Sequence, residues 1–454
     1  MTTTPTGTSA DHAVAAGRVV PGMVGPVVTV LTDPDDSPAC LTAVMACHAL
    51  QRGVVVCLPH PGTGSRPQLG AALLVALGKL PTARPVQRPS YRSWELAGCW
   101  LAAEPITDLV VLRADRLPAA CWGDLALLAA AAGTRLWLVD AGSAAADGQR
   151  AALAAASGGR APLVRPWRAG LAALAPAAAV ATGQRDDHDG FPAVPDVEFP
   201  QFRATARRVL SAAAFARVDA VYRGTFAQAR TRAEGLRLSL LSDISRAELA
   251  DAVLQQLTID ATSTAEVLTR VRAAQAGLLA EGLFLDVRPR SCRTWGAATV
   301  RLEPRLDPST VARLRGLCDP TTAAAVVLTR ATGLPASRLC RLRPGDLTEH
   351  RRGLHVRLSS MLSYRVPARA AGLVRAVLAR PSFLPPGDTS GPSNTDAVAV
   401  PGRLFTRPDG APLDDRALAR LRHTGATHAG VVLPAASFRN TTVTDLHPLA
   451  RSGS

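Results

Sequence analysis

The chain has 454 residues, enough for about three domains, and at 47% hydrophobic and 19% charged it is too apolar for wholesale disorder. Basic residues exceed acidic ones by 51 to 36, and the excess lies in one half. Residues 1–200 hold 15 basic and 16 acidic side chains, whereas residues 201–454 hold 36 and 20. Only Lys79 is lysine, so part of the arginine content reflects composition. Both halves share that bias, and the contrast between them directs a polyanionic partner to the second half.

The eight cysteines show no C-x-x-C pair and no zinc-ligand spacing, and no metal site is expected. Most lie in apolar stretches such as VVVCL, where a thiol behaves as a small hydrophobe. The opening MTTTPTGTSADHAVAAG lacks a charged start and a following apolar run. No apolar run approaches the ~18 residues of a membrane span. These features predict a reduced, cytoplasmic chain without membrane contact.

In chain order, residues 1–24 read as a mobile tail. From 25 to 142 apolar strands alternate with helices: GPVVTVL, VVVCLP, TDLVVLRAD and TRLWLVDAG as strands, with helices after each of the first three. Strands apolar on both faces and separated by helices predict a covered parallel sheet. Residues 143–200 are Ala/Gly/Pro-rich and read as a linker. Residues 201–290 read as all helix, with TSTAEVLTRVRAAQAGLLAEG one long element ending at Gly282. From 300 to 454 a third, mostly helical region holds a strand pair, LHVRL and SYRVPA, then a Gly/Pro/Ser-rich insertion and a helix near 413–423. The expected class is multidomain: a parallel-sheet α/β domain, a helical middle and a mostly helical C-terminal domain.

PGTGSR (61–66) lies between a predicted strand and a predicted helix, where backbone N–H groups can cradle a phosphate. It resembles the P-G-T-G-K-[ST] loop of AAA-type ATPases, and VVLRADRL (110–117) resembles their second, metal-organising motif. The resemblance implies ATP or another nucleotide held by Gly62, Gly64, Ser65 and Arg66. Yet Ser65 and Arg66 replace the phosphate-binding Lys and the Mg²⁺-binding Ser/Thr, and Leu112 and Arg113 replace the two acidic groups. Hydrolysis needs those charges, so the expectation is a loop without turnover and a chain with no obligatory cofactor.

TTAAAVVLTRATGLPASRLCRLRPGDL (321–347) breaks at Thr332-Gly333. With the strand pair and LFTRPDGAPLDDRALARLRHTGATHAGV (404–431), it resembles the catalytic domain of tyrosine recombinases, the phage integrase family, in motif order. Thr332, Gly333, Leu334, Leu339, Leu342 and Asp346 match the family frame. The resemblance implies a DNA-binding protein of mobile-element origin, with double-stranded DNA as partner and an active recombinase or a second copy as companion. Arg422 and His423 match the second phosphate-clamping arginine and its neighbour; Pro335 stands at the first, with Arg338 one turn on. Arg341, Arg343 and Arg365 join these as DNA-contacting candidates. No tyrosine follows Tyr364, so the nucleophile is missing and strand cleavage is not expected. The helical middle fits two readings. One is the DNA-clasping domain that precedes the recombinase core. The other is a winged helix, in a transcriptional regulator, that directs Thr264, Arg270 and Arg272 into the major groove.

Overall fold

The computed structural model describes residues 27–79, 92–142, 146–179, 190–240, 245–287, 304–350, 353–359, 362–383, 402–407, 410–433 and 442–446. The expected tail at 1–24 and most of the Gly/Pro/Ser-rich insertion lie outside them. The chain divides into two compact units. Unit 1 comprises residues 1–185, 314–324 and 372–413; unit 2 comprises 186–313, 325–371 and 414–454. The recombinase-like stretch is therefore shared between them. Among the described residues no helix is long and apolar enough to cross a membrane.

Unit 1 is an α/β structure. Its elements are β1 (Val28–Thr32), α1 (Pro38–Met45), β2 (Val54–Cys57), α2 (Arg66–Ala76), α3 (Ser93–Ala103), β3 (Asp108–Val111), α4 (Ala119–Ala132), β4 (Arg135–Asp140), α5 (Ala146–Ala156), β5 (Leu163–Pro166) and α6 (Trp167–Ala179). All five strands are parallel, in the order β2-β3-β4-β1-β5. The four predicted strands are all present, and β2 and β3 are buried throughout. The fifth strand falls in the expected linker: β5 pairs with β1 and is exposed along its length. Ser37 opens α1 by accepting a hydrogen bond from the Ala39 N–H, with Pro38 at the first helical position.

Several polar groups in this core are matched, whereas Asp140 Oδ2 and Gln149 Oε1 are enclosed without a hydrogen-bond partner. Asp108, fully buried, accepts hydrogen bonds from Thr107 Oγ1, Arg135 Nη2 and Trp137 Nε1, each at 2.7 Å. Trp100 and Trp122 are fully buried and donate to the carbonyls of Cys318 and Ala114. At ~25 cal/mol/Å² over an indole's ~150–250 Å², each contributes about 4 kcal/mol of apolar burial. Gly70 lets α2 meet α3: a Cβ there would lie 2.4 Å from the Trp94 nitrogen.

Unit 2 is mainly helical. It is built from α7 (Phe199–Val209), α8 (Ala212–Leu240), α9 (Arg246–Thr258), α10 (Thr264–Ala280), β6 (Leu283–Asp286), α11 (Pro308–Arg315), α12 (Pro320–Thr332), α13 (Ala336–Leu339), β7 (Leu347–His350), β8 (Gly353–Arg357), β9 (Ser363–Pro367), α14 (Ala368–Ala379), α15 (Asp415–His428) and β10 (Thr442–Asp445). The unit boundaries cross α11, α12 and α14, and residues 372–379 of α14 belong to unit 1. Helix α10 is central, packed by α7, α8, α9 and β6. Gly277 lets α8 approach it, since a Cβ would stand 2.6 Å from the Phe226 carbonyl oxygen. Strand β6 pairs antiparallel with β10, so the middle region and the C-terminal segment share one core, with Val443 inside it.

The predicted strand pair is β8–β9, and a third strand, β7, completes an antiparallel sheet in the order β7-β8-β9. Side chains of α9 close the free edge of β9. Gln255 donates to the Arg365 carbonyl at 2.6 Å and accepts from its N–H at 3.2 Å, while Gln256 donates to the Ser363 carbonyl at 2.9 Å. An edge strand left open would offer a template for foreign pairing.

Candidate nucleic-acid interface

Helix α12 ends at Thr332. Gly333 takes φ 72°, and Thr332 Oγ1 accepts from the Leu334 N–H at 3.1 Å. Leu334, Leu339 and Leu342 are buried, and Asp346 Oδ2 accepts from the Arg343 N–H at 2.8 Å. Every residue of the T-G-L…L-x-x-L-x-x-x-D frame thus serves the fold, as a left-handed helix stop, a core contact or a turn cap. The short helix α13 packs against α15, bringing the segment with Arg338, Arg341 and Arg343 to the helix with Arg422 and His423. All three arginines of that segment are exposed. Arg338 pairs with Glu248 at 2.9 Å.

Helix α15 has two unlike faces. Leu418, Gly425 and Ala426 are buried. Arg416, Arg420 and His423, at i, i+4 and i+7, are exposed and make no side-chain hydrogen bond or ion pair among the described residues. They form one solvent-facing stripe of two guanidiniums and an imidazole. The motif match singles out Arg422, which lies roughly 120° round the helix from that stripe, on the packed side. Arg422 is half-buried, and its Nε is enclosed without a hydrogen-bond partner. The stripe is legible in the sequence as DRALARLRH; its signal is the helical spacing rather than the motif.

Other expected contacts are taken up inside unit 2. Arg272 has 1% of its side chain exposed, bonds Gln275 at 2.9 Å and faces Glu198 at 3.6 Å. Arg270 pairs with Glu266 and donates to the Leu257 carbonyl at 3.0 Å. Of the three residues assigned to the groove, only Thr264 is exposed. A recognition helix must present a free face, and α10 is enclosed, so the winged-helix reading of Arg270 and Arg272 does not fit. Arg365 is ion-paired with Asp260. Arg305 and Arg330 likewise serve as internal staples. Arg330 donates to the carbonyls of Pro304, Arg305 and Val432, and Arg305 to Ala331 and Asp251. Tyr222 and Tyr364 are buried, and desolvation raises both phenols, the opposite of nucleophile activation.

In unit 1, PGTGSR does join a strand to a helix, but the strand is β2, an edge of the sheet. Ligands of open parallel sheets sit where neighbouring strands send the chain in opposite directions, which here is between β1 and β4. At the loop, Gly64 N–H and Ser65 Oγ both donate to Gln68 Oε1, at 2.9 and 3.1 Å, and Arg66 is ion-paired with Asp124. Gly62 takes φ 88° as a turn residue. Of the residues assigned to a nucleotide, Gly64, Ser65 and Arg66 thus have a donor engaged by an internal partner. The crevice beside β1 and β4 is narrow: Asp33, Asp36, Asp115 and Arg113 line a space of about 10 Å³, room for about one water. Among the described residues no cluster of three or more metal-ligating side chains occurs. Comparison of the chain with known protein families, with curated proteins and with solved structures finds no match.

Proposed function

We propose that the protein binds double-stranded DNA through unit 2, gripping the phosphate backbone without cutting it. The observation that carries this reading is the exposed stripe of Arg416, Arg420 and His423, which makes no ion pair among the described residues. Internal staples such as Arg272 and Arg330 have partners; a surface row without them is available to phosphates, whose counterions it releases. Arg338, paired with Glu248, and the exposed Arg341 and Arg343 add further arginine side chains on the segment packed beside α15. The integrase-like motif order supports a mobile-element origin, and the missing tyrosine supports binding without strand cleavage. Phosphate contacts position a protein on DNA without reading bases, so the expected binding is largely independent of sequence.

The test is fluorescence anisotropy of the full chain with a labelled duplex of random sequence, about three helical turns long, across a salt series. Binding should weaken as salt rises, and denaturing gels should show no covalent adduct. Absence of binding at about 50 mM salt, or a protein–DNA adduct, would overturn the reading.

A further inference from the structure

A cleft of about 430 Å³ opens at the C-terminal ends of β2 and β3, between the 58–63 loop and α2. Its volume falls within the ~300–1,000 Å³ of small-molecule sites. Its walls are apolar although they face water: Leu58 is 45% and Val75 61% exposed. Its polar end is cationic, because Arg113 and Arg116 line it and no acidic side chain among the described residues does.

Behind that end lies an unusual arrangement. Arg113 takes φ 50° and Asp36 φ 41°, and these are the only non-glycine residues with positive φ among those described. Each left-handed residue of this kind costs roughly 1–2 kcal/mol. The two are partners, with Arg113 Nε 3.3 Å from Asp36 Oδ1, and Arg116 reaches the same carboxylate at 3.1 Å. One carboxylate thus bridges the two guanidiniums that line the cleft. Arg113 Nε is also enclosed and misaligned for a hydrogen bond. Strain of this sort persists where surroundings impose it, and it concentrates at ligand sites.

We infer that this cleft binds a small molecule with an apolar body and a single carboxylate head, the body against Leu58 and Val75 and the head on Arg113 and Arg116. The anionic head follows from two guanidiniums and no acidic side chain among the described lining residues, and the body from the exposed apolar walls. The site is separate from the nucleic-acid interface and does not depend on it.

Titration calorimetry of the full chain with octanoate tests the assignment, with acetate as the head alone and octan-1-ol as the body alone. Octanoate should saturate one site, and each half-ligand should bind at least tenfold more weakly. Arg113→Gly, which removes the guanidinium and suits the positive φ, should weaken octanoate at least tenfold. Val75→Asp, at an exposed helix position, should do the same, whereas Asp36→Asn should tighten binding by freeing both arginines. No saturable octanoate binding would overturn the inference. So would octanol binding as tightly as octanoate, or octanoate binding unchanged by Arg113→Gly and Val75→Asp.

Discussion

Lys79, the chain's single lysine, should make unit 1 gain stability on mild alkalinisation. Its ammonium is 2% exposed, 3.5 Å from Glu104 and 3.5 Å from the centre of the Trp100 ring, and it donates to the Arg315 carbonyl at 3.0 Å. Burial outweighs Glu104 and lowers its pKa from 10.5 to about 8. The unfolded chain therefore holds this proton up to about pH 10.4, whereas the folded one releases it near pH 8. In that window the unfolded state binds more protons, so stability rises with pH. Below pH 8 both states are charged and the full cost, about 3 kcal/mol, is present; between pH 7 and 9.5 about 2 kcal/mol of it should be regained. The buried thiols act oppositely. Cys57 and Cys99 are raised to about 12 by burial, so their contribution falls as pH rises through the unfolded thiol range. The lysine effect must be read as a difference. Urea unfolding followed by tryptophan fluorescence, for wild type and Lys79→Met, isolates it. The stability of wild type relative to the variant should climb by about 2 kcal/mol from pH 7 to 9.5. A flat difference would mean that Lys79 titrates normally and is not desolvated.

Arg272→Ala should lower the stability of unit 2 by about 2 kcal/mol and leave duplex affinity unchanged; a loss of affinity at constant stability would return α10 to the DNA. Gly277→Ala should cost about 1–3 kcal/mol by forcing α8 away from α10, read as a lower urea midpoint, and an unchanged midpoint would deny the close approach. Arg422→Ala should weaken duplex binding by about 1.5–3 kcal/mol, similarly for all sequences and with little change in melting temperature. If it is silent while the stripe is essential, phosphate gripping resides on the exposed face of α15 alone.

The parallel sheet was legible because β1 to β4 are apolar runs, and such runs signal strands buried on both faces. Strand β5, LVRP, was not: it is an exposed edge in an Ala/Pro-rich segment, and composition there reads as linker. Strand β7, LTEH, has no apolar alternation and is held by its pairing with β8 rather than by burial. The two-unit division was hidden because segments distant in sequence join one core, as β6 and β10 do. Arginines with internal partners defeat a charge-based reading. Arg272, Arg305 and Arg330 count toward the basic excess of the second half yet point into carbonyls, carboxylates or Gln275. Motif matching placed the phosphate loop by its letters, and only strand order puts it at the edge of the sheet. At α15 the motif drew attention to Arg422, while periodicity alone would have found Arg416 and Arg420.

The central claim is that the stripe on α15 holds duplex phosphates, and charge reversal there tests it most directly. Each phosphate contact contributes a slope of about −0.9 in log K against log salt, or about eightfold in affinity at 0.1 M salt. In anisotropy titrations of the full chain with a random-sequence duplex, Arg416→Ala/Arg420→Ala should bind about 60-fold more weakly and flatten the slope by about 1.8. Arg416→Glu/Arg420→Glu should abolish measurable binding at about 0.1 M salt, with its circular dichroism and melting temperature unchanged. A folded double-glutamate protein that binds duplex with wild-type affinity and salt slope would contradict the account.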